Sequence, residues 1–347
     1  MLIAAWIVRW TGFVALAGLL GGFVLDLFIL PAVPETVVSR RRLRALRAGC
    51  AVVLLLDTVG ELGLRAATMS GGGPGAVAAA VPVVLTHTHF GAVWIGRAAG
   101  LLALLALSRA SGPGLLELGA LAALGVALTV SLTGHASDWG DLSPTAALDW
   151  IHVVGATTWT GGLFVLVAVV VRRARQWPVS LLAAVMSRFS RVAGWCLLAV
   201  VCSGAYASWV QVGSVDGLWR TVYGRALAVK LLLVLGLVWW GAVNRYTVLP
   251  GLAAGGTPGL IERMFRWGRS RLIGASPMTR GALPSRLAVY LTREVMLALL
   301  VFACTAVLTE STPARHAHHL DPRAAGDEHA GHAMAGERGG SAPSLSR

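Results

Sequence analysis

Lysine is almost missing from this 347-residue chain: Lys230 is the only one, and with 13% charged residues the net charge of +13 rests on arginine. In a soluble protein such a surplus would suggest nucleic acid. Here the arginines sit in short connections between apolar runs, so no nucleic-acid partner is expected and the charge becomes a topology signal. Cysteine is scarce and unpaired in pattern. Cys50, Cys196, Cys202 and Cys304 fall within or at the edge of apolar runs, with no CxxC among them, which argues for buried thiols and against a disulfide framework. The amino terminus lacks a basic stretch before its apolar run and an Ala-x-Ala site after it, so the first run is expected to remain a membrane helix. Glycine loops for nucleotides or phosphates, a soluble catalytic domain and internal repeats are also lacking, so no chemistry on a substrate is expected.

What fills the chain is apolar sequence. It is 56% hydrophobic and holds eight runs of about twenty residues or more, the length that spans a hydrocarbon core. The expected fold is therefore all-α: a polytopic membrane bundle with helices over 4–30, 48–69, 90–108, 114–134, 146–171, 189–211, 222–244 and 287–309. Residues 1–310 form this transmembrane domain and 311–347 a disordered tail. Eight crossings put both termini on one side, and arginine decides which. The connections after the first, fifth and seventh helices carry Arg40, Arg41, Arg42, Arg44 and Arg47, then Arg172, Arg173, Arg175, Arg188 and Arg191, then Arg245, Arg263, Arg266, Arg269, Arg271, Arg280 and Arg286. Residues 70–89 and 135–149 contain neither arginine nor lysine. Both termini are thus expected outside the cytoplasmic membrane. Gly and Pro in 70–82 predict an outer loop with a short re-entrant or interfacial turn. Met264, Phe265 and Trp267 among arginines in the long connection 251–286 predict an amphipathic segment on the anionic leaflet.

In this topology all nine histidines lie at the outer face. His87 and His89 precede the third helix, His135 closes the fourth, His152 lies about a turn into the fifth, and His316, His318, His319, His329 and His332 stand in the tail. Neutral imidazole is a borderline ligand suited to copper or zinc, so one-sided histidine points to metal outside. His152, Gly155, Ala156, Trp159 and Gly162 share one helical face, whose small residues let a neighbouring backbone approach and turn the imidazole into the bundle. A packing face with an interfacial histidine would look the same. The short link from His135 makes it a neighbour of His152 and the pair a candidate metal site, which His87 and His89 are candidates to complete. The tail histidines, with Met334, offer nitrogen for Cu(II) and a thioether for Cu(I) on a flexible segment.

Charge inside the apolar runs forms a second constellation. Asp57, Glu61 and Arg65 repeat at i, i+4 and i+8 on the second helix. Each would cost about 2.5–3.5 kcal/mol at the bilayer centre, so partners are required, and Arg225 and Lys230 of the seventh helix are candidates. The set reads as an internal salt-bridge network or as an ion or proton pathway below the histidines. Asp138, Asp141 and Asp149 give the outer loop an acidic surface.

Thr133-Gly-His-Ala136, His152-x-x-Gly-Ala-x-x-Trp-x-Gly-Gly162, Tyr223-Gly-Arg-x-Leu-x-x-Lys230, Asn244-Arg245 and Glu294 in the last helix together resemble the CopD/PcoD family of copper-resistance membrane proteins. The resemblance runs most clearly from about residue 90 to 312 and is carried by the order and spacing of the pieces. It implies an eight-helix inner-membrane protein that handles copper and moves it inward, often with an extracytoplasmic copper-binding partner of the CopC type. Because the chain starts directly at a helix, that partner is expected to be separate. The His-rich tail and the pair His87 and His89 depart from the family pattern.

The expected function is capture of copper ion at the outer face and passage into or across the membrane. Two other classes stand beside it. Paired histidines on neighbouring helices can also ligate haem in an electron-transfer protein, and a delivery or assembly factor would bind copper without transporting it.

Overall fold

Each apolar run forms helix wherever it is described, and no strand occurs among the described residues. A helix satisfies its backbone polar groups within itself, the requirement that hydrocarbon surroundings impose. The computed structural model describes residues 1–109, 114–170, 176–212, 215–248 and 283–311. The amphipathic segment expected in 251–286 and the tail histidines and Met334 lie outside the described residues.

In chain order, α1 is Leu2–Val24, α2 Val37–Ser70, α3 Pro74–His87, α4 His89–Arg109, α5 Leu115–Ser131, α6 Pro144–Val165, α7 Val179–Val212, α8 Val215–Arg220, α9 Val222–Val243 and α10 Leu283–Thr309. Three of them run on as π-turns at one end of the bundle: Leu25–Ile29 after α1, Leu166–Val170 after α6 and Asn244–Val248 after α9. Six helices are long and apolar enough to cross a membrane: Leu2–Ile29, His89–Arg109, Pro144–Val169, Val179–Val212, Val222–Tyr246 and Val289–Thr309. Of the two further runs expected from the sequence, α2 is interrupted by charge, and α5 is short at 17 residues.

Two helices begin well before the predicted boundaries. α2 starts at Val37, because its arginine-rich first turns extend the helix past the apolar stretch that marked it in the sequence. α7 starts at Val179 with the apolar turns 179–185 that precede Arg188. The outer loop expected over 70–82 is mostly α3. Pro74 occupies its first turn, where proline needs no amide partner, and the helix then continues through Pro82. Gly71, at φ +59°, ends α2 in the left-handed conformation that glycine adopts without a Cβ penalty.

α1 is the axis of the bundle. In its most apolar window 78% of residues are buried, against 6% for α7, so α1 is wrapped by protein while α7 presents its apolar surface outward. Leu16, Leu19 and Phe23 of α1 pack with Leu54 of α2, Leu101 and Leu104 of α4, and Val126 of α5. Leu25 and Ile29 enter a second core with Leu43, Trp159, Leu163, Leu182, Leu237 and Leu291. α1 and α6 touch backbone to backbone: a Cβ on Gly21 would lie 2.5 Å from the Gly161 carbonyl oxygen, and one on Gly161 would overlap the Ala17 carbonyl.

Arg9, two turns into α1, reaches Glu310, the residue after α10, at 2.9 Å. The start of the first helix and the end of the last therefore share one end of the bundle. Following the chain from there, the end of α3, the start of α4, the end of α5 and the start of α6 stand at that same end. The arginines at the start of α2 cluster at the opposite end. There Asp26, on its π-turn, accepts from Arg40 and, at 2.8 Å, from the buried Arg47.

Candidate functional site

His152 sits eight residues into α6, so its Cα lies about 12 Å below the helix start. The spacing that puts it on one face with Gly155 and Gly162 turns that face onto α7. A Cβ on Gly155 would meet Val200 at 3.1 Å and the Cys196 carbonyl at 3.3 Å, and one on Gly162 would meet Phe189 at 2.5 Å. The imidazole is half-buried and lies over Gly204, where a Cβ would stand 3.0 Å from Cε1.

The His152 Nδ1 bonds to the Ser203 hydroxyl at 3.1 Å, and that hydroxyl lies 2.5 Å from the Ala199 carbonyl oxygen. A carbonyl can only accept, so the single hydroxyl proton goes to Ala199 and Nδ1–H donates to Oγ. This bonding puts the ring proton on Nδ1, the tautomer in which Nε2 is the nitrogen that can ligate a metal. Ser203 was invisible in the sequence reading because serine within an apolar run carries no pattern of its own.

The remaining bundle histidines stand at the loop ends. His87 closes α3, is exposed, and bonds through Nδ1 to Thr86 Oγ1 at 2.6 Å. His89 opens α4, and its Nε2 meets Asp141 Oδ2 at 2.8 Å, with both side chains about half exposed. Asp141 follows the short turn His135–Trp139 that comes after α5, so this contact ties the loop carrying His135 to the head of α4. His135 opens that turn, and its side chain lies outside the described part. The ring partners that the structure gives His152 are the Ser203 hydroxyl and the Val200 backbone carbonyl, both on α7. No group of three or more His, Cys, Asp or Glu residues placed to hold a metal occurs among the described residues.

Below the loops lies a buried ion network. Glu61 is 7% exposed and holds one arginine on each carboxylate oxygen: Arg9 Nη1 on Oε1 and Arg97 Nη1 on Oε2, both at 2.5 Å. Neither partner is Arg225 or Lys230. Arg97 also donates from Nε to Thr129 Oγ1 at 2.8 Å and from Nη2 to the Thr129 carbonyl at 2.9 Å and Thr133 Oγ1 at 3.0 Å. Asp57 lies half-buried against Gly12 and lines a cavity of about 20 Å³ with Arg9, Thr58, Glu61 and Arg97, room for about one water. Arg65 lies over the Phe90 ring, 5.4 Å from its centroid. Sequence reading missed Arg9 and Arg97. The signal was a lone cation inside an apolar run, which demands a partner wherever it occurs.

The other two cations stand on α9. Arg225 is exposed near its start, while Lys230 is half-buried, within electrostatic reach of Asp149 on α6 and Cys304 on α10. Where α9 and α10 meet at the π-turn end, buried Asn244 donates to Glu294 Oε1 at 3.2 Å.

With this geometry in hand, two family comparisons cover most of the chain. Residues 1–144 match the copper resistance protein D-like N-terminal domain, and residues 183–308 match copper resistance protein D. The chain belongs to the copper resistance protein D family. It is also 30% identical over 247 residues, 67% of its own length, to the copper transport protein CutJ of Bacillus subtilis (strain 168). The chain spans 44% of the length of that relative. No solved structure matches it.

Membership in this family, with six helices long and apolar enough to span a membrane, makes the chain a multi-pass membrane protein of a copper-resistance family. Two of the pieces that carried the resemblance make separate contacts in the bundle: His152, Gly155 and Gly162 on the α6–α7 seam, and Asn244 against Glu294 between α9 and α10.

Proposed function

We propose that the chain takes copper at the bundle end carrying His87, His89 and His135, passes it to His152, and moves it into or across the cytoplasmic membrane. Copper is the cargo, and no bond of a substrate is made or broken. The observation that carries the reading is the His152–Ser203 bond, which puts the ring proton on Nδ1 and makes Nε2 the nitrogen that can ligate a metal, about 12 Å below that end. Haem ligation has less support, because the partner of His152 is a serine on the neighbouring helix.

The orientation follows from charge. Arg40, Arg41, Arg42, Arg44 and Arg47 crowd the end opposite the histidines, which makes that end cytoplasmic and the histidine end, with both termini, extracytoplasmic. We count eight crossings. α1 ends at the arginine-rich end and α4 begins at the histidine end, so the chain returns through α2. α5 makes the same return between α4 and α6.

The tail histidines His316, His318, His319, His329 and His332, with Met334, would collect copper, alone or from a CopC-like extracytoplasmic protein. His135 would receive it, and His87 or His89 would add a ligand. Asp57 is a better deeper station than Glu61, whose two oxygens are already held by arginine.

The test is the copper content of purified chain truncated after Ser311. His152→Ala should abolish the copper that the truncated chain retains, and Ser203→Ala should weaken its affinity about tenfold by freeing the ring. Copper content unchanged by His135→Ala and His152→Ala together would overturn the reading.

A further inference from the structure

Three carboxyl groups are buried among the described residues, and they are not held alike. Asp26 accepts from Arg40 and Arg47, and Glu61 accepts from Arg9 and Arg97. Glu294 is the most enclosed of the three, at 3% exposed, and among the described residues it pairs with no arginine or lysine. Its hydrogen-bond partner is the neutral amide of Asn244, which donates from Nδ2 to Oε1 at 3.2 Å. The other end of that amide is orphaned, since Asn244 Oδ1 is buried without a hydrogen-bond partner. We propose that Glu294 is a proton-binding site: it stands as a neutral carboxylic acid paired with Asn244, and loss of its proton opens the seam between α9 and α10.

The seat is apolar. Glu294 shares a face of α10 with Leu291, one turn before it, and Ala298, one turn after, both fully buried in the core with Leu163 and Leu166 after α6 turns inward and Leu237 of α9. The elements packed most closely on α10 are α1, α6 with its π-turn and α9 with its π-turn, and the charges they carry are engaged elsewhere. On α9, Arg245 donates to the Ser190 carbonyl at 3.0 Å and lies over the Tyr246 ring, and Lys230 stands nearer the other end, within electrostatic reach of Asp149 on α6 and Cys304 on α10. On α10, Arg293 lies 5.6 Å from the centroid of the Trp240 ring, against which Tyr290 also packs. Arg9 of α1 holds Glu61 and Glu310, Asp26 on the following π-turn holds Arg40 and Arg47, and His152 of α6 bonds to Ser203.

A carboxylate in this seat lacks the cation that a buried charge requires. Protonation removes the charge and supplies the donor that the amide is missing. With the proton on Oε2, the hydroxyl donates to Asn244 Oδ1 while Oε1 goes on accepting from Nδ2, so acid and amide satisfy each other. When the O–H bond breaks, the electron pair stays on the carboxylate and the proton passes to water. The carboxylate then needs solvent, and the nearer end of the bundle is at Asn244, the first residue past α9, so water enters there and parts the two helices. The seam is therefore closed while the proton is bound and loosens as pH rises. Asn244 is the positioning residue for that proton.

Infrared spectra of the purified full chain read the proton directly, because a carboxylic acid has a carbonyl stretch that a carboxylate lacks. At neutral pH the difference between wild type and Glu294→Gln should contain that acid band, and a carboxylate band in its place would overturn the proposal. Asn244→Leu should keep the acid band but move it to higher frequency, since the acid loses its partner. Should Glu294→Gln fail to fold, the Asn244→Leu spectrum decides alone, and an acid band at unchanged frequency contradicts the pairing. Hydrogen exchange of residues 238–244 reads the seam. As pH is raised from neutral, exchange there should quicken in the wild type beyond the intrinsic pH dependence that Glu294→Gln reports, and an equal rise in both proteins would overturn the opening.

Discussion

Replacing Gly161 by valine should leave α1 unable to seat against α6 and should destabilise the protein by more than about 3 kcal/mol, beyond the usual range for overpacking. At this contact a Cβ on Gly161 would overlap the Ala17 carbonyl, and one on Gly21 would lie 2.5 Å from the Gly161 oxygen and the Gly162 nitrogen. What would have to move is backbone of the two helices on which the core is built, so no side chain can yield to relieve it. Gly49 and Gly63 of α2 have nothing within 4 Å of such a Cβ, and alanine there should be tolerated. Thermal unfolding in detergent, followed by the loss of monodisperse protein, checks the contrast. A Gly161→Val variant as stable as Gly63→Ala would contradict the close contact.

Glu61→Ala should destabilise by about 3–5 kcal/mol, the range for removing one partner of a buried ion pair. Glu61 is 7% exposed and Arg97 4%, and the missing carboxylate would leave Arg97 and Arg9 facing each other across the cavity that Asp57 also lines. Glu61→Gln should cost less, since its carbonyl still accepts from one arginine while the amide nitrogen opposes the other. Glu61→Ala combined with Arg97→Met should recover part of the loss, because a charge left unpaired is the larger penalty. Thermal midpoints of the three variants give the order. A Glu61→Ala midpoint equal to wild type would show that the pairs contribute nothing.

These two sites differ in how far the sequence announced them. The runs of apolar residues marked the long helices, since hydropathy over about twenty residues is local information. The spacing of His152, Gly155 and Gly162 marked a packing seam, and its glycines do take the backbone and side chains of α7. What the sequence did not carry was the identity of partners. Arg9 and Glu61 are 52 residues apart, and Arg97 and Glu61 are 36 apart, on helices whose mutual rotation no local pattern reports. The same holds for Asp26, which meets Arg40 and Arg47 only because α1 turns back into α2. Arg225 and Lys230 looked like partners for Glu61 because they share its half of the bilayer, but depth alone does not bring two helices together. Charges in α2 also hid its length, since arginines and carboxylates that pair inside the bundle lower its hydropathy as much as charges that meet water.

The His152 ring shows the same limit on a smaller scale. Helical periodicity placed it on an inward face, and only the packed α7 supplied the serine that assigns its tautomer. That hydroxyl assigns the ring proton to Nδ1, which periodicity alone could not do.

Copper uptake into sealed proteoliposomes tests the central claim most directly. With wild-type protein inserted with the histidine end outward, added copper should accumulate inside, and His152→Ala should abolish the accumulation while leaving insertion and thermal stability near wild type. Accumulation by His135→Ala, His152→Ala double-variant protein at the wild-type rate would contradict the account.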